Sequence, residues 1–140
     1  MSRSGYNDFD GDNWGLIRYR GAVNSALRGK RGQTFLREMV AALDALPKRR
    51  LGKEDLISEE GDVCALGAVR WYRGQDLCDL DPDNSEAVAA EFDIADAMAR
   101  EIVFENDEPW SYPDRSSVER FRRMRAWASR NIRQDKRADA

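Results

Sequence analysis

The stretch Ser25–Phe35, "SALRGKRGQTF", decides how the first third of the chain is read. Arg28, Lys30 and Arg31 are interleaved with Gly29 and Gly32, so the segment is either a phosphate-cradling loop or the turn between two helices. A Walker-type loop needs a strand before it, glycine five residues before the Gly-Lys pair, and Ser or Thr after it. Position 24 is Asn, position 31 is Arg, and the segment before it carries helical rather than strand periodicity. "GKRG" is therefore read as a helix–helix turn. Gly29 is expected to close the first helix in a left-handed cap.

The flanks carry that reading outward. In "WGLIRYRGAVNSALR", Leu16, Ile17, Val23 and Leu27 keep approximate helical spacing, with Asp12 or Asn13 as the cap. In "QTFLREMVAALDALP", Phe35, Leu36, Met39, Val40, Leu43 and Leu46 form one apolar stripe, and Pro47 stops the helix. "DLIS" and "DVC", on either side of the turn signal "EEGD", are short enough for a small hairpin at most. Helices are then expected over "CALGAVRWYRG", "SEAVAAEF" and "IADAMAREIVF". A last helix starts at Ser116 with capping-box spacing to Glu119, and buries Phe121, Met124, Trp127 and Ala128. Phe35, Leu36, Met39, Leu43, Phe121 and Met124 are expected to share one core, and Trp14 and Trp127 are read as core residues. The expected fold is a mainly α, single compact domain of about five helices, with room for a two-stranded hairpin. An irregular arm covers residues 1–12, the domain 13–134, and a frayed tail 135–140.

Composition narrows the function. The 140 residues are 41% hydrophobic and 35% charged, a balance suited to one globular domain. No apolar run approaches the ~20 residues of a membrane span. No secretory leader is read in "MSRSGYNDFDGD", and Cys64 and Cys78 make no disulfide framework, so a reduced cytoplasmic setting is expected. Histidine is absent, which removes imidazole-based triads and the common zinc sites. Asp8, Asp10 and Asp12 alternate as at the start of a calcium loop, but the sixth and twelfth positions are Asn13 and Tyr19 rather than Gly and Glu. Asp76, Asp79, Asp81 and Asp83 leave room for weak binding of a hard cation, but Asp83 and Asn84 are better explained as turn and cap residues. No catalytic centre, metal site or cofactor is expected.

The net charge of −3 is unevenly spread. Residues 1–53 carry 11 basic and 5 acidic residues, residues 54–114 carry 3 and 18, and residues 115–140 carry 9 and 3. Either the basic ends fold against the acidic middle, or one face stays basic and meets a partner. The residues singled out for such a face are Arg28, Lys30 and Arg31 at the hairpin and Arg122, Arg123 and Arg130 on the last helix. "SEAVAAEFDIADAMAREI" has the register of a helix-turn-helix, but its second helix sets Asp93, Asp96 and Glu101 against a single Arg100, a poor reader of a negatively charged duplex.

Several stretches together, "SGY" near the start, the run "DNWGLIRYRGAVNSALRGKRGQTFLREMVAALDALPKRRL", then "GDVCALGAV", "FENDE" and "RMRAWA", resemble a family of small accessory proteins encoded by tailed bacteriophages and prophages. The resemblance supplies no catalytic residues. It implies context only, an accessory phage protein acting inside an infected bacterium. The charge segregation, with no catalytic motif beside it, leads to the expectation of a non-enzymatic binding protein that occupies a surface on a host protein or nucleoprotein complex, for example to inhibit a defence system such as CRISPR. The alternative is a nucleic-acid-binding protein that uses the basic hairpin and the basic last helix. Asp93, where a small turn residue such as glycine is expected, departs from the helix-turn-helix pattern.

Overall fold

The computed structural model describes residues 13–107 and 116–134. The expected arm with its three aspartates, residues 108–115 and the expected tail lie outside the described residues. Within them the chain forms six helices: α1 (Asn13–Arg28), α2 (Lys30–Ala45), α3 (Ala65–Tyr72), α4 (Ser85–Phe92), α5 (Asp96–Asp107) and α6 (Ser117–Asn131). The fold class is therefore mainly α, as the periodicity implies. The expected hairpin reduces to one antiparallel bridge, Ile57 to Val63, with no strand among the described residues. The loop spends its amides on turn contacts instead: Ser58 N donates to Asp62 O at 2.8 Å and Gly52 N to Val63 O at 2.8 Å.

Helix α2 lies at the centre and packs against α3 on one side and α6 on the other. Four of the six residues of its stripe are buried, Phe35 at 2% exposed and Leu36, Met39 and Leu43 fully so, while Val40 and Leu46 are only half-buried at its margin. Phe121 and Met124 of α6 join the same cluster, as expected from their spacing. Helix α5 bridges α1 and α4, and the Phe35 and Phe92 rings meet edge-on at 5.3 Å, tying α2 to α4.

The turn at residues 28–32 differs from its expectation in one respect. Gly29 is extended (φ −69°, ψ 165°), not left-handed, and forms a one-residue junction. Its amide donates to Ser25 O at 3.0 Å and its carbonyl accepts from Gln33 N at 2.9 Å, so it serves both helices. The indispensable glycine is Gly32, which faces α1: a Cβ there would stand 2.0 Å from the Ala26 carbonyl oxygen.

Helix ends follow local chemistry. Ser116 Oγ accepts from Glu119 N at 3.1 Å, and Asn84 Oδ1 from Ala87 N at 3.1 Å. Asp93 takes the left-handed conformation (φ 54°, ψ 54°) that closes α4, a role aspartate fills with modest strain.

Helix α1 corrects two expectations. Its inward face is Gly15, Tyr19, Val23 and Leu27, spaced by four residues, with Leu16 half-buried beside it. That register turns Trp14 and Ile17 outward, 72% and 58% exposed, so neither is core; Trp127 is buried as expected.

Candidate binding surface

Part of the charge asymmetry is resolved inside the molecule. Arg125 of α6 forms a two-pronged pair with Asp44 of α2 at 2.6 and 3.0 Å. Its hydrogen bonds are the main reason the Asp44 carboxyl titrates below the ordinary range. Arg73 binds Glu38 in the same fork at 2.8 and 2.5 Å while lying over the Phe92 ring. Arg70 is nearly buried. Burial alone would weaken its hold on the proton, but hydrogen bonds to Asp79 and Glu91 reverse that and leave it more basic. Through Asp79 the acidic loop after α3 is held against that helix.

Two of the singled-out arginines join this internal set. Arg31 pairs with Asp93 at 3.1 Å, both well exposed, so the hairpin tip does not present three unpaired cations. Arg123 faces Glu105 at 3.7 Å and donates to Asn106 O at 3.3 Å, which makes it a strut between α6 and α5. Burial raises the Glu105 pKa, partly offset by the field of Arg123 and Arg130. Lys30 and Arg122 are exposed on α2 and α6. Arg100 of α5 lies over the Tyr19 ring at 5.3 Å and faces α1, so the α4–α5 pair gains nothing as a duplex reader.

Arg28 and Arg130, by contrast, come together. The C-terminal ends of α1 and α6 flank an open groove of about 450 Å³, lined by Asn24, Leu27, Arg28, Arg130, Asn131, Ile132 and Arg133. Lys30, Arg31, Arg122 and Arg123 are not among the lining residues. All three lining arginines are exposed. Arg28 closes α1 and Arg130 closes α6, where cations suit the partial negative charge of a helix end. Two helix ends supply only about one elementary charge between them, so three guanidiniums leave a positive surplus.

Gln33 builds the groove. Its side-chain amide donates to Leu27 O at 2.7 Å and Asn131 O at 2.9 Å, and its Oε1 accepts from Arg133 N at 2.7 Å. One buried side chain thereby satisfies a carbonyl at the end of α1, another at the end of α6, and the amide of the segment that follows. Arg37 adds a hydrogen bond to Arg133 O at 2.8 Å. Sequence reasoning missed Gln33. The one signal was a polar residue beside the stripe that begins at Phe35.

Gln33→Ala would strand these groups in a mostly buried place and is expected to cost about 1–3 kcal/mol. Gln33→Glu should be comparably damaging, because a carboxylate can accept from Arg133 N but cannot donate to two carbonyls. Urea denaturation reads the destabilisation, and hydrogen exchange at residues 131–133 locates it. Unchanged stability and exchange in both variants would contradict the bridging role.

Elsewhere the acidic residues serve turns: Asp76 Oδ1 accepts from Cys78 N at 2.7 Å and Asp81 Oδ1 from Asp83 N at 2.9 Å. Among the described residues no three Cys, Asp or Glu side chains gather in a metal-holding group. Among the described residues no helix is long and apolar enough to cross a membrane. No protein-family description matches the chain, and neither a curated protein nor a solved structure is significantly similar to it.

Proposed function

We propose that the protein is a non-enzymatic binding protein that occupies a surface on a host macromolecular complex, in the phage context that its resemblance to phage and prophage accessory proteins implies. A nucleic-acid-processing assembly inside the infected bacterium, such as a CRISPR-type defence complex, is the target class that fits. The observation supporting this reading is the outer face of α1. Trp14 and Ile17 stand exposed there, and Gly21 on the same helix has open space around it. A tryptophan held in water on a rigid helix is a costly surface for a small domain and a productive one for an interface.

The test is capture from host lysate by immobilised protein, wild type against Trp14→Ala/Ile17→Ala, followed by mass spectrometry. A defined set of subunits should be retained by the wild type and lost by the variant at an unchanged unfolding midpoint. Equal retention by both would remove α1 as the contact, and no defined complex with either would sink the reading.

A second reading, direct nucleic-acid binding, is favoured by the convergence of Arg28, Arg130 and Arg133. Arg28→Ala/Lys30→Ala/Arg31→Ala serves as its companion variant. Exposed charges of this kind contribute little to stability, so the melting temperature should hold nearly constant while partner capture weakens. A collapse in stability would assign the three cations to internal pairing.

A further inference from the structure

We infer that the groove between the C-terminal ends of α1 and α6 seats the sugar–phosphate backbone of a nucleic-acid strand, with Arg28 and Arg133 as its principal phosphate contacts. The inference rests on the nucleic-acid reading above and names the site and the atoms that would carry it.

The first argument is selection. The chain holds 26 acidic residues, and several arginines outside the groove are met by them: Arg31 by Asp93, Arg73 by Glu38, Arg123 by Glu105 and Arg125 by Asp44. Yet among the described residues no carboxylate lines this groove. Arg28 and Arg133, 105 positions apart in sequence, have no ion-pair partner among the described residues. Cations gathered in one groove whose described lining holds no carboxylate are available to an anion.

The second argument is shape and chemistry. The groove is open, and all its cations are exposed, so a small anion would gain little over water. An extended polyanion gains from each arginine in turn, because every phosphate neutralised releases a condensed counterion. Guanidiniums meet phosphate oxygens in a two-pronged fork, and Asn24 and Asn131 bring amides that serve sugar and phosphate oxygens alike.

The third argument separates nucleic acid from an acidic protein. A protein interface needs an apolar centre. Here the apolar lining is Leu27, which is buried, and Ile132, which is half-buried. The exposed apolar residues of α1, Trp14 and Ile17, lie toward its other end. The groove is a charged trough without a hydrophobic anchor, which suits a phosphodiester chain better than a folded partner.

Its walls are also fixed in advance. Leu27 O and Asn131 O, the backbone oxygens that would repel a phosphate, already accept from Gln33. Arg133 is held at its backbone from both sides, through N by Gln33 and through O by Arg37. Only the guanidiniums are left to choose a partner.

The test is fluorescence anisotropy of the full chain with a labelled oligothymidine strand of about 20 nucleotides, long enough for a site of several nucleotides, across a salt series. Arg28→Ala/Arg133→Ala is compared with Lys48→Ala/Lys53→Ala, which removes the same charge from exposed positions off the groove. The wild type should bind at low salt. The arginine variant should bind about tenfold or more weakly, and its salt slope should flatten by about 0.7 for each phosphate it no longer neutralises. The lysine variant should keep most of the affinity. Circular dichroism confirms that both variants are folded.

Equal weakening in the two variants would overturn the inference in favour of diffuse attraction. So would polyglutamate competing as well as unlabelled strand at equal charge, which would assign the groove to carboxylates on a protein. Failure of the wild type to bind at low salt would end it. If that happens while the α1 face still captures a host complex, the groove inference falls alone and the binding-protein reading stands.

Discussion

Gly32→Ala should unfold the protein at a temperature well below that of the wild type, while Gly29→Ala, three residues away, should change it little. The added methyl of the first variant must occupy space 2.0 Å from the Ala26 carbonyl oxygen. Both atoms belong to helix backbones, so no rotamer change relieves the clash. Helix α2 must move off α1, and α2 is the element on which α3 and α6 pack. Overpacking ordinarily costs about 1–3 kcal/mol and occasionally more; a clash with a fixed carbonyl belongs at or above the upper end. At the residue-29 junction the nearest atom to an added methyl is Ser25 O at 3.4 Å, an ordinary contact, and the backbone there is extended with negative φ. Thermal unfolding of the two variants side by side decides the matter. Equal midpoints for Gly32→Ala and wild type would mean that α1 does not approach α2 as closely as the structure has it.

Leu43→Ala carries the other large effect. Leu43 is fully buried on α2 in the same cluster as Phe121 and Met124. Deleting the side chain forfeits its transfer free energy and leaves a cavity that rigid helices on two sides cannot fill, which costs about 2–5 kcal/mol. Against a total of about 5–15 kcal/mol for a domain, the variant would sit near the limit of stable folding. Chemical denaturation should show a lower midpoint with an unchanged slope. An unchanged midpoint would remove α2 from the centre of the core.

The core was legible because burial leaves a periodic trace. Phe35, Leu36, Met39 and Leu43 repeat with the helix, and Phe121, Met124, Trp127 and Ala128 do the same on α6, so the two faces could be matched before any coordinates. The cap at Ser116 was legible because one polar oxygen at one position does the work, whereas Asn84 and Ser85, adjacent and both capable, left the α4 cap open between them. Trp14 and Ile17 were misread because α1 offers two apolar faces. Glycine at 15 and tyrosine at 19 decide which one docks, and neither weighs much in a hydrophobic pattern. Among the arginines, sequence identifies which are basic but not which find a carboxylate. Arg31 meets Asp93 62 residues away, and Arg125 meets Asp44 81 residues away. The groove was half legible: its arginines stood out as a class, while the glutamine that assembles them looked like an ordinary first-turn residue.

The bridge from Gln33 to the backbone of Arg133 closes a loop of 100 residues. Such a closure is among the last contacts a growing or collapsing chain can make, since its entropy must be met before it returns anything. During synthesis α1 and α2 emerge first and can pair at once, because their contact is local. The arginine trough has no second wall until α6 has left the ribosome and docked. A nascent chain therefore carries Arg28 but not the groove, and a chain cut before Asn131 would keep much of its core while never acquiring the groove's second wall. The geometry defers the groove to a chain in which α6 has docked.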